Sequence, residues 1–256
     1  MFQLPMQYEN GNDFYAYGLA KVSSNGKIGL IDKTGKEIVP PKYDVIDDKT
    51  TAYNLIMTKL NSKLGLIDKT GKELVPPQYD VIDDKTTLYN LIMTKLNSKL
   101  GLIDKTGKEL VPPKYDIIDY KISHDDMIGV KLNGKVGLID IKGIEIVRPI
   151  YDDIDNKVIG KNVIMVKLNG KVGLIDKTGK EIVPPKYNGI EGKSGEYNLY
   201  AVKLNGKLGF IDLNTGKEIA SPQYDEISTF KHGIANVKQN GRTFCIDKTG
   251  KEISCR

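Results

Sequence analysis

Short apolar runs bounded by turn residues recur along the whole chain. In one of them Val163-Ile164-Met165-Val166-Lys167-Leu168 is rich in β-branched residues and runs into Asn169-Gly170. Asn-Gly between two such runs is a strong two-residue hairpin signal, because both turn residues need positive φ. Lys171-Val172-Gly173-Leu174-Ile175-Asp176 follows, then Lys177-Thr178-Gly179, which fits a three-residue loop with Gly in the left-handed position. Lys180-Glu181-Ile182-Val183 reads as the next strand, closed by Pro184-Pro185, and Lys186-Tyr187-Asn188 leads out toward a short fourth strand. No segment sustains a 3.6-residue apolar period, so the chain is predicted all-β with essentially no helix.

The pattern is periodic. Gly29–Asp32, Gly65–Asp68, Gly101–Asp104, Gly137–Asp140, Gly173–Asp176 and Gly209–Asp212 each start 36 residues after the last, and a degenerate seventh copy ends at Asp247. That copy falls one residue early even though the sixth carries an insertion near Asn214. Two copies, Tyr43–Pro77 and Tyr79–Pro113, differ only at Ala52 and Leu88. A fixed period of this length signals a solenoid, propeller or array, so residues 1–256 read as one repeat domain with cores at 29–43, 65–79, 101–115, 137–151, 173–187, 209–224 and 243–254. The strands do not alternate cleanly. Val163 to Val166 is apolar on both faces, and so is the pairing of Leu174-Ile175 with Ile182-Val183. Such strands must be covered on both sides, which predicts small sheets sandwiched between neighbours.

Leu4-Pro5-Met6-Gln7-Tyr8 matches the exit segment Val39-Pro40-Pro41-Lys42-Tyr43, and the sequence ends at Arg256, just after Glu252-Ile253-Ser254 and before an exit segment of its own. The first residues could therefore complete the last unit. This gives a closed propeller-like ring as the expected architecture, with an open β-superhelix as the alternative.

Composition changes this picture little. An apolar fraction of 39% and a charged fraction of 28% suit a folded chain and argue against disorder. The net charge of +5 is spread along the sequence, with Lys alternating with Asp and Glu and no basic block, so no nucleic-acid partner is expected. No stretch is long and apolar enough to span a membrane. Residues 1–10 lack a signal-peptide pattern, which points to the cytoplasm unless a signal has been removed. If Lys248-Thr249-Gly250 is a loop, Cys245 faces Ile253 and Cys255 lies diagonally, near or beyond the disulfide limit of about 7 Å. No covalent staple is expected.

No catalytic constellation emerges. His124 and His232 lie in different linkers, away from any Cys or second His. The acidic clusters Asp47-Asp48, Asp83-Asp84 and Asp152-Asp153 lack the calcium-loop pattern. The aspartates before each loop (Asp32, Asp68, Asp104, Asp140, Asp176, Asp212) read as acceptors for turn N–H groups, opposite Lys36, Lys72, Lys108 and Lys180. The exit tyrosines Tyr43, Tyr79, Tyr115, Tyr151, Tyr187 and Tyr224 read as a packing ladder whose hydroxyls meet a neighbouring backbone. Neither a metal nor a cofactor is predicted.

The unit Asn-Gly-Lys-Val-Gly-Leu-Ile-Asp-Lys-Thr-Gly-Lys-Glu-Ile-Val-Pro-Pro-Lys-Tyr at 169–187 resembles the WG-repeat family of bacterial proteins, and the resemblance covers nearly the whole chain. It departs where the family carries Trp before the core Gly. Those positions hold Ile28, Leu64, Leu100, Val136, Val172 and Leu208, aliphatic residues that can still fill a core slot. The resemblance implies a binding role and no reaction. The leading expectation is a non-catalytic scaffold that presents a repeat-built surface to a protein partner. The alternative is a glycan- or small-ligand-binding module. Loops on a rigid scaffold are the default place for function, so the candidate binding residues are those of the divergent linkers: Tyr53, Tyr89, Tyr120, His124, Tyr197 and Phe230.

Overall fold

The computed structural model describes residues 8–11, 18–51, 53–83, 88–120, 126–159, 163–193 and 197–255. Among these the strands form seven four-stranded antiparallel sheets, each ordered as outer strand, two-strand hairpin and final strand. The second sheet is representative, with Val45–Thr50, Ile56–Leu60, Lys63–Ile67 and Glu73–Tyr79. One short 3-10 turn, Leu88–Asn90, interrupts the β-structure. No helix among the described residues is long and apolar enough to cross a membrane. The chain packs as two compact units: one runs to Ile118 and includes Ile141–Gly143, and the other holds Asp119–Asp140 with Ile144 onward. Leu4–Gln7, the segment expected to complete a terminal unit, lies outside the described residues.

The turns follow the sequence chemistry. Asn169 and Gly170 have φ of 52° and 71°, and Asn61-Ser62 takes the same conformation at 50° and 66°. In the second hairpin loop Asp32 Oδ1 accepts the Thr34 N–H at 2.8 Å, the Thr34 hydroxyl at 2.6 Å and the Lys36 N–H at 3.1 Å. Those bonds hold the Asp32 carboxyl below the ordinary Asp range, the Thr34 hydroxyl bond being the largest contribution. The pattern recurs at Asp68, Asp104, Asp176 and Asp247. At Asp212 the loop is one residue longer, and Gly216 N–H closes it on the Asp212 carbonyl at 2.8 Å. That places the insertion inferred near Asn214.

The core Gly answers a different demand. Val172 pairs with Tyr187 and Leu174 with Val183, so one residue on the hairpin strand faces three, Pro184 to Lys186, on the final strand. The bulged backbone collapses onto Gly173: a Cβ there would stand 2.7 Å from both Pro185 N and the Val183 carbonyl oxygen. The same collision recurs at Gly29, Gly65, Gly101, Gly137 and Gly209. The prolines lie in a bulge on the final strand, at the other edge of the sheet, where their missing N–H leaves no ladder bond unmade.

Packing couples successive sheets. In the first unit Leu30, Val39 and Tyr43 of the first sheet pack against Ile46, Ile56 and Ile67 of the second. Leu66, Val75 and Tyr79 then pack against Ile82, Ile92 and Ile103 of the third. In the second unit Leu174, Val183 and Tyr187 meet Ile190, Val202 and Ile211, and Phe210, Ala220 and Tyr224 meet Phe230, Val237 and Ile246. Adjacent residues of one strand serve opposite faces: Leu66 faces forward and Ile67 back, both fully buried. The loops add to this contact, since a Cβ at Gly71 would meet the Ile38 carbonyl oxygen at 2.7 Å.

The cysteines overturn the sequence expectation. Cys245 does face Ile253, but Cys245 and Cys255 are joined in a disulfide with their Cα atoms 5.3 Å apart. The diagonal estimate assumed that the strand continues. It ends at Ile253, and Ser254-Cys255 leaves the ladder, so the Cα spacing falls inside the range a disulfide spans.

The two glycines predict different costs. Gly170 has open space around it and only its positive φ to protect, so Gly170→Val should cost about 1–3 kcal/mol. Gly173→Ala must push two backbones apart and should cost more, about 3 kcal/mol or above. Denaturant midpoints of the two variants decide it; an equal or smaller loss for Gly173→Ala would refute the close-approach account.

Candidate binding surface

Most recurring polar groups are consumed in joining one sheet to the next. The exit tyrosines are buried, and the hydroxyls of Tyr43, Tyr79, Tyr151 and Tyr187 donate to carboxylates of the following sheet, not to backbone as expected from the sequence. The geometry grades with the residue before each Tyr. Tyr43 reaches Glu73 Oε2 at 2.6 Å and Tyr187 reaches Glu218 Oε1 at 2.5 Å, with Lys42 and Lys186 bonded to the same carboxylates. Tyr79, preceded by Gln78, reaches Glu109 at 3.0 Å. Tyr151, preceded by Ile150, reaches Glu181 at 3.4 Å. A Lys that shares the carboxylate supplies charge-assisted donors and draws the cluster together. Lys186 first, then Tyr187 and Ser221, lowers Glu218 from 4.5 to about 2. Burial, then the Glu109 carboxylate, pushes the Tyr79 hydroxyl up to about 12. Tyr8 donates to Glu37 at 2.8 Å in the same arrangement.

A second device lies at the Asn-Gly ends. Asp44 binds Lys27 of the preceding sheet and accepts the Asn61 N–H of its own hairpin turn at 2.7 Å. Asp80, Asp152 and Asp225 repeat it with Asn97, Asn169 and Asn240, and with Lys63, Lys135 and Lys207. Asn188 keeps the turn bond to Asn205 without the charge. These pairs are exposed and contribute geometry more than energy. From the sequence neither the recurring Glu nor this Asp was read as a joint between sheets, although the Glu falls at a fixed place in every repeat and the Asp in all but the one with Asn188.

The predicted linker residues differ in burial. Tyr53 is half-buried and packs on the core between the second and third sheets. Tyr89 is half-buried in the 3-10 turn with φ 58°. Tyr120 is half-buried, and His124 lies outside the described residues. Phe230 is unavailable to a ligand: it is 1% exposed, in the core, edge-on to Phe210 at 4.8 Å. Its apolar ring fills the space between two sheets, which a linker position did not reveal. Tyr197 alone is well exposed, at 48%, with Lys248 Nζ 5.0 Å from its ring centre. Tyr53, Tyr89 and Tyr197 share one slot, each followed by an Asn of positive φ, so they are part of the repeat. His232, exposed, stands in that slot in the seventh repeat, in a Lys231–Ile234 turn.

Repeats differ instead on the outer strand, at the second residue after the exit Tyr. Val45, Val81 and Ile117, all in the first unit, are 48%, 44% and 47% exposed there. In the second unit the same position holds Asp153, Gly189 and Glu226. The residue opposite is Lys in each of the pairs Val45–Lys59, Val81–Lys95, Asp153–Lys167, Gly189–Lys203 and Glu226–Lys238. Asp153 and Glu226 close ion pairs with their lysines at 3.3 and 2.8 Å, whereas Val45 and Val81 leave aliphatic surface beside a cation.

The profile of the WG containing repeat matches residues 28–63, 65–99, 101–135, 137–171, 173–207 and 209–242. The chain belongs to the WG-repeat family. A WG repeat such as 28–63 spans the last two strands of one sheet and the first two of the next, so the sequence unit straddles the structural one. At the family's Trp position Ile28, Leu64 and Val136 are partly buried against the inter-sheet cores, and Ile28 and Leu64 pair with Tyr43 and Tyr79. No curated protein matches the chain. Solved structures with similar chain traces include a eukaryotic initiation factor, at 9% identity and TM-score 0.29 over 98% of this chain and 88% of that one. Hsv2p of Kluyveromyces lactis matches at 8% and 0.28 over 89% and 88%. The extracellular domain of a putative one component system of B. thetaiotaomicron matches at 10% and 0.27 over 99% and 44%. Likeness at these scores carries no inference about this chain.

The Tyr187–Glu218–Lys186 cluster makes stability depend on acid. The Glu218 pKa is lowered, so its contribution is complete above the ordinary value of about 4.5 and is lost as pH falls toward about 2. Glu218→Gln should cost about 1–2 kcal/mol at neutral pH. Glu181→Gln, at the longer bond, should cost less. Unfolding midpoints at pH 7 and pH 3 test both: the Glu218→Gln deficit should shrink at pH 3, and a deficit unchanged with pH would refute the charged clamp.

Proposed function

We propose that the chain is a non-catalytic binding scaffold that offers the outer-strand column Val45, Val81 and Ile117 to a protein partner. The observation that carries this reading is the change of chemistry at one register position. The three exposed aliphatic residues stand in successive repeats of one unit, and the other unit has Asp, Gly and Glu there. Isolated exposed apolar residues need no explanation, but a recurring row is what an interface core looks like. The glycan reading rests on Tyr197, and Lys248 already lies over its ring, where a sugar would stack. Immobilised wild-type protein should retain a specific protein from an extract of the native host, and a V45D/V81D/I117D variant should lose it. As these are surface positions, the variant should unfold within about 0.5 kcal/mol of wild type. Retention of the same protein by the folded variant would reject the column.

The disulfide favours an oxidising compartment over the cytoplasm expected from the sequence, because cytosolic thiols are kept reduced. Protein alkylated inside the native host before lysis should show neither Cys245 nor Cys255 labelled until a dithiol reductant is added. Labelling of both without reductant would return the protein to a reducing compartment.

A further inference from the structure

We infer that the partner of this column is an acidic and apolar protein segment, one that brings carboxylates spaced among aliphatic side chains. The inference rests on the docking reading above and adds the partner's chemistry. In an antiparallel pair, residues directly opposite project on the same face with Cβ atoms about 5 Å apart. Val45 therefore lies beside Lys59, and Val81 beside Lys95. Each of these sheets shows the solvent one aliphatic group and one cation side by side.

The second unit shows how the chain treats the same Lys when it completes the surface itself. Asp153 sits opposite Lys167 and Glu226 opposite Lys238, and each closes an ion pair. Glu226 raises the Lys238 ammonium above its ordinary value. In the first unit that cis carboxylate is replaced by Val. Asp44, whose N–H bonds the Lys59 carbonyl at 2.8 Å and whose carboxylate feels the Lys59 charge, is already bonded to Lys27 and to the Asn61 N–H. Asp80, beside Lys95, is likewise bonded to Lys63 and the Asn97 N–H. What the second unit supplies in cis is thus left, in the first, to a partner: a carboxylate for each Lys and an aliphatic contact for each Val. A basic partner would meet Lys59 and Lys95 with like charge, and a purely apolar one would strip water from both ammonium groups without return.

The test uses the full chain and three short synthetic peptides followed by fluorescence anisotropy: one alternating Glu and Leu, one alternating Lys and Leu, and one alternating Glu and Ser. The Glu/Leu peptide should bind and the other two should not. Its affinity should fall on raising salt, and should fall about tenfold in K59Q/K95Q, the equivalent of losing one or two charge-assisted contacts. In V45D/V81D the new carboxylates copy the second unit and should abolish binding. Equal or tighter binding of the Lys/Leu peptide, or unchanged affinity in K59Q/K95Q, would overturn the acidic partner. If V45D/V81D/I117D loses a host protein whose capture is indifferent to salt and to K59Q/K95Q, the docking column stands and the acidic partner falls. Glu/Leu binding unaltered by the valine substitutions would remove both.

Discussion

Every sheet in this protein has two apolar faces, and the burial of both is the constraint on which the remaining structure depends. In the hairpin strands of the first five repeats two large aliphatic residues follow one another, as Leu66-Ile67 or Leu174-Ile175, and the sixth has Phe210-Ile211. In a strand consecutive side chains point to opposite faces. Both members of each of these pairs are fully buried; Ile67 faces the preceding sheet and Leu66 the following one, and Ile175 and Leu174 do the same. Each such side chain contributes roughly 1.5–3 kcal/mol when buried, and a lone four-stranded sheet would leave both members of the pair in water. Cooperation between neighbours is built into the residue pair itself.

The polar chemistry serves that stacking. Tyr–Glu and Lys–Asp contacts cross from one sheet to the next, and the loop glycines let backbone press on backbone. Lys42 and Lys186 tighten the Tyr–Glu bond, and Ile150 relaxes it. Repeats can thus differ in the strength of a shared joint without differing in fold. The family unit in sequence straddles two sheets, so each repeat is covalently committed to both partners of a joint. In the seventh sheet the final strand is Glu252–Ile253, and the disulfide ties Cys255 just beyond it to Cys245 of the hairpin.

The proposed docking column lies in residues this system does not use. The recurring Tyr, Glu, Asp and turn Gly are occupied by joints, and the linker tyrosines turned out to be a repeating slot, half-buried at Tyr53 and Tyr89. Val45, Val81 and Ile117 are different: they occupy a strand position, are exposed, and change to Asp, Gly and Glu in the other unit. The reading from sequence placed binding in the linkers because loops diverge most. The exposed strand column has no mark in any one repeat, since nothing in a single strand says which alternate residue the next sheet covers.

The sequence by itself determined the period, the all-β class, the Asn-Gly and Thr-Gly turns, the Asx-type caps and the need for cover on both faces. All of these are local: a φ angle, a side chain reaching two to four residues along, or the alternation of a strand. Tertiary structure alone decided what is set by contacts between segments distant in the chain. It sent the Tyr hydroxyls to carboxylates about thirty residues on, because the sheets stack with the final strand of one beside the loop of the next. It buried Phe230, and it closed Cys245 to Cys255 because the last strand stops at Ile253. It left Val45 and Val81 uncovered beside their lysines. Exposure belongs to the packed neighbours of a residue, and those neighbours lie in another repeat.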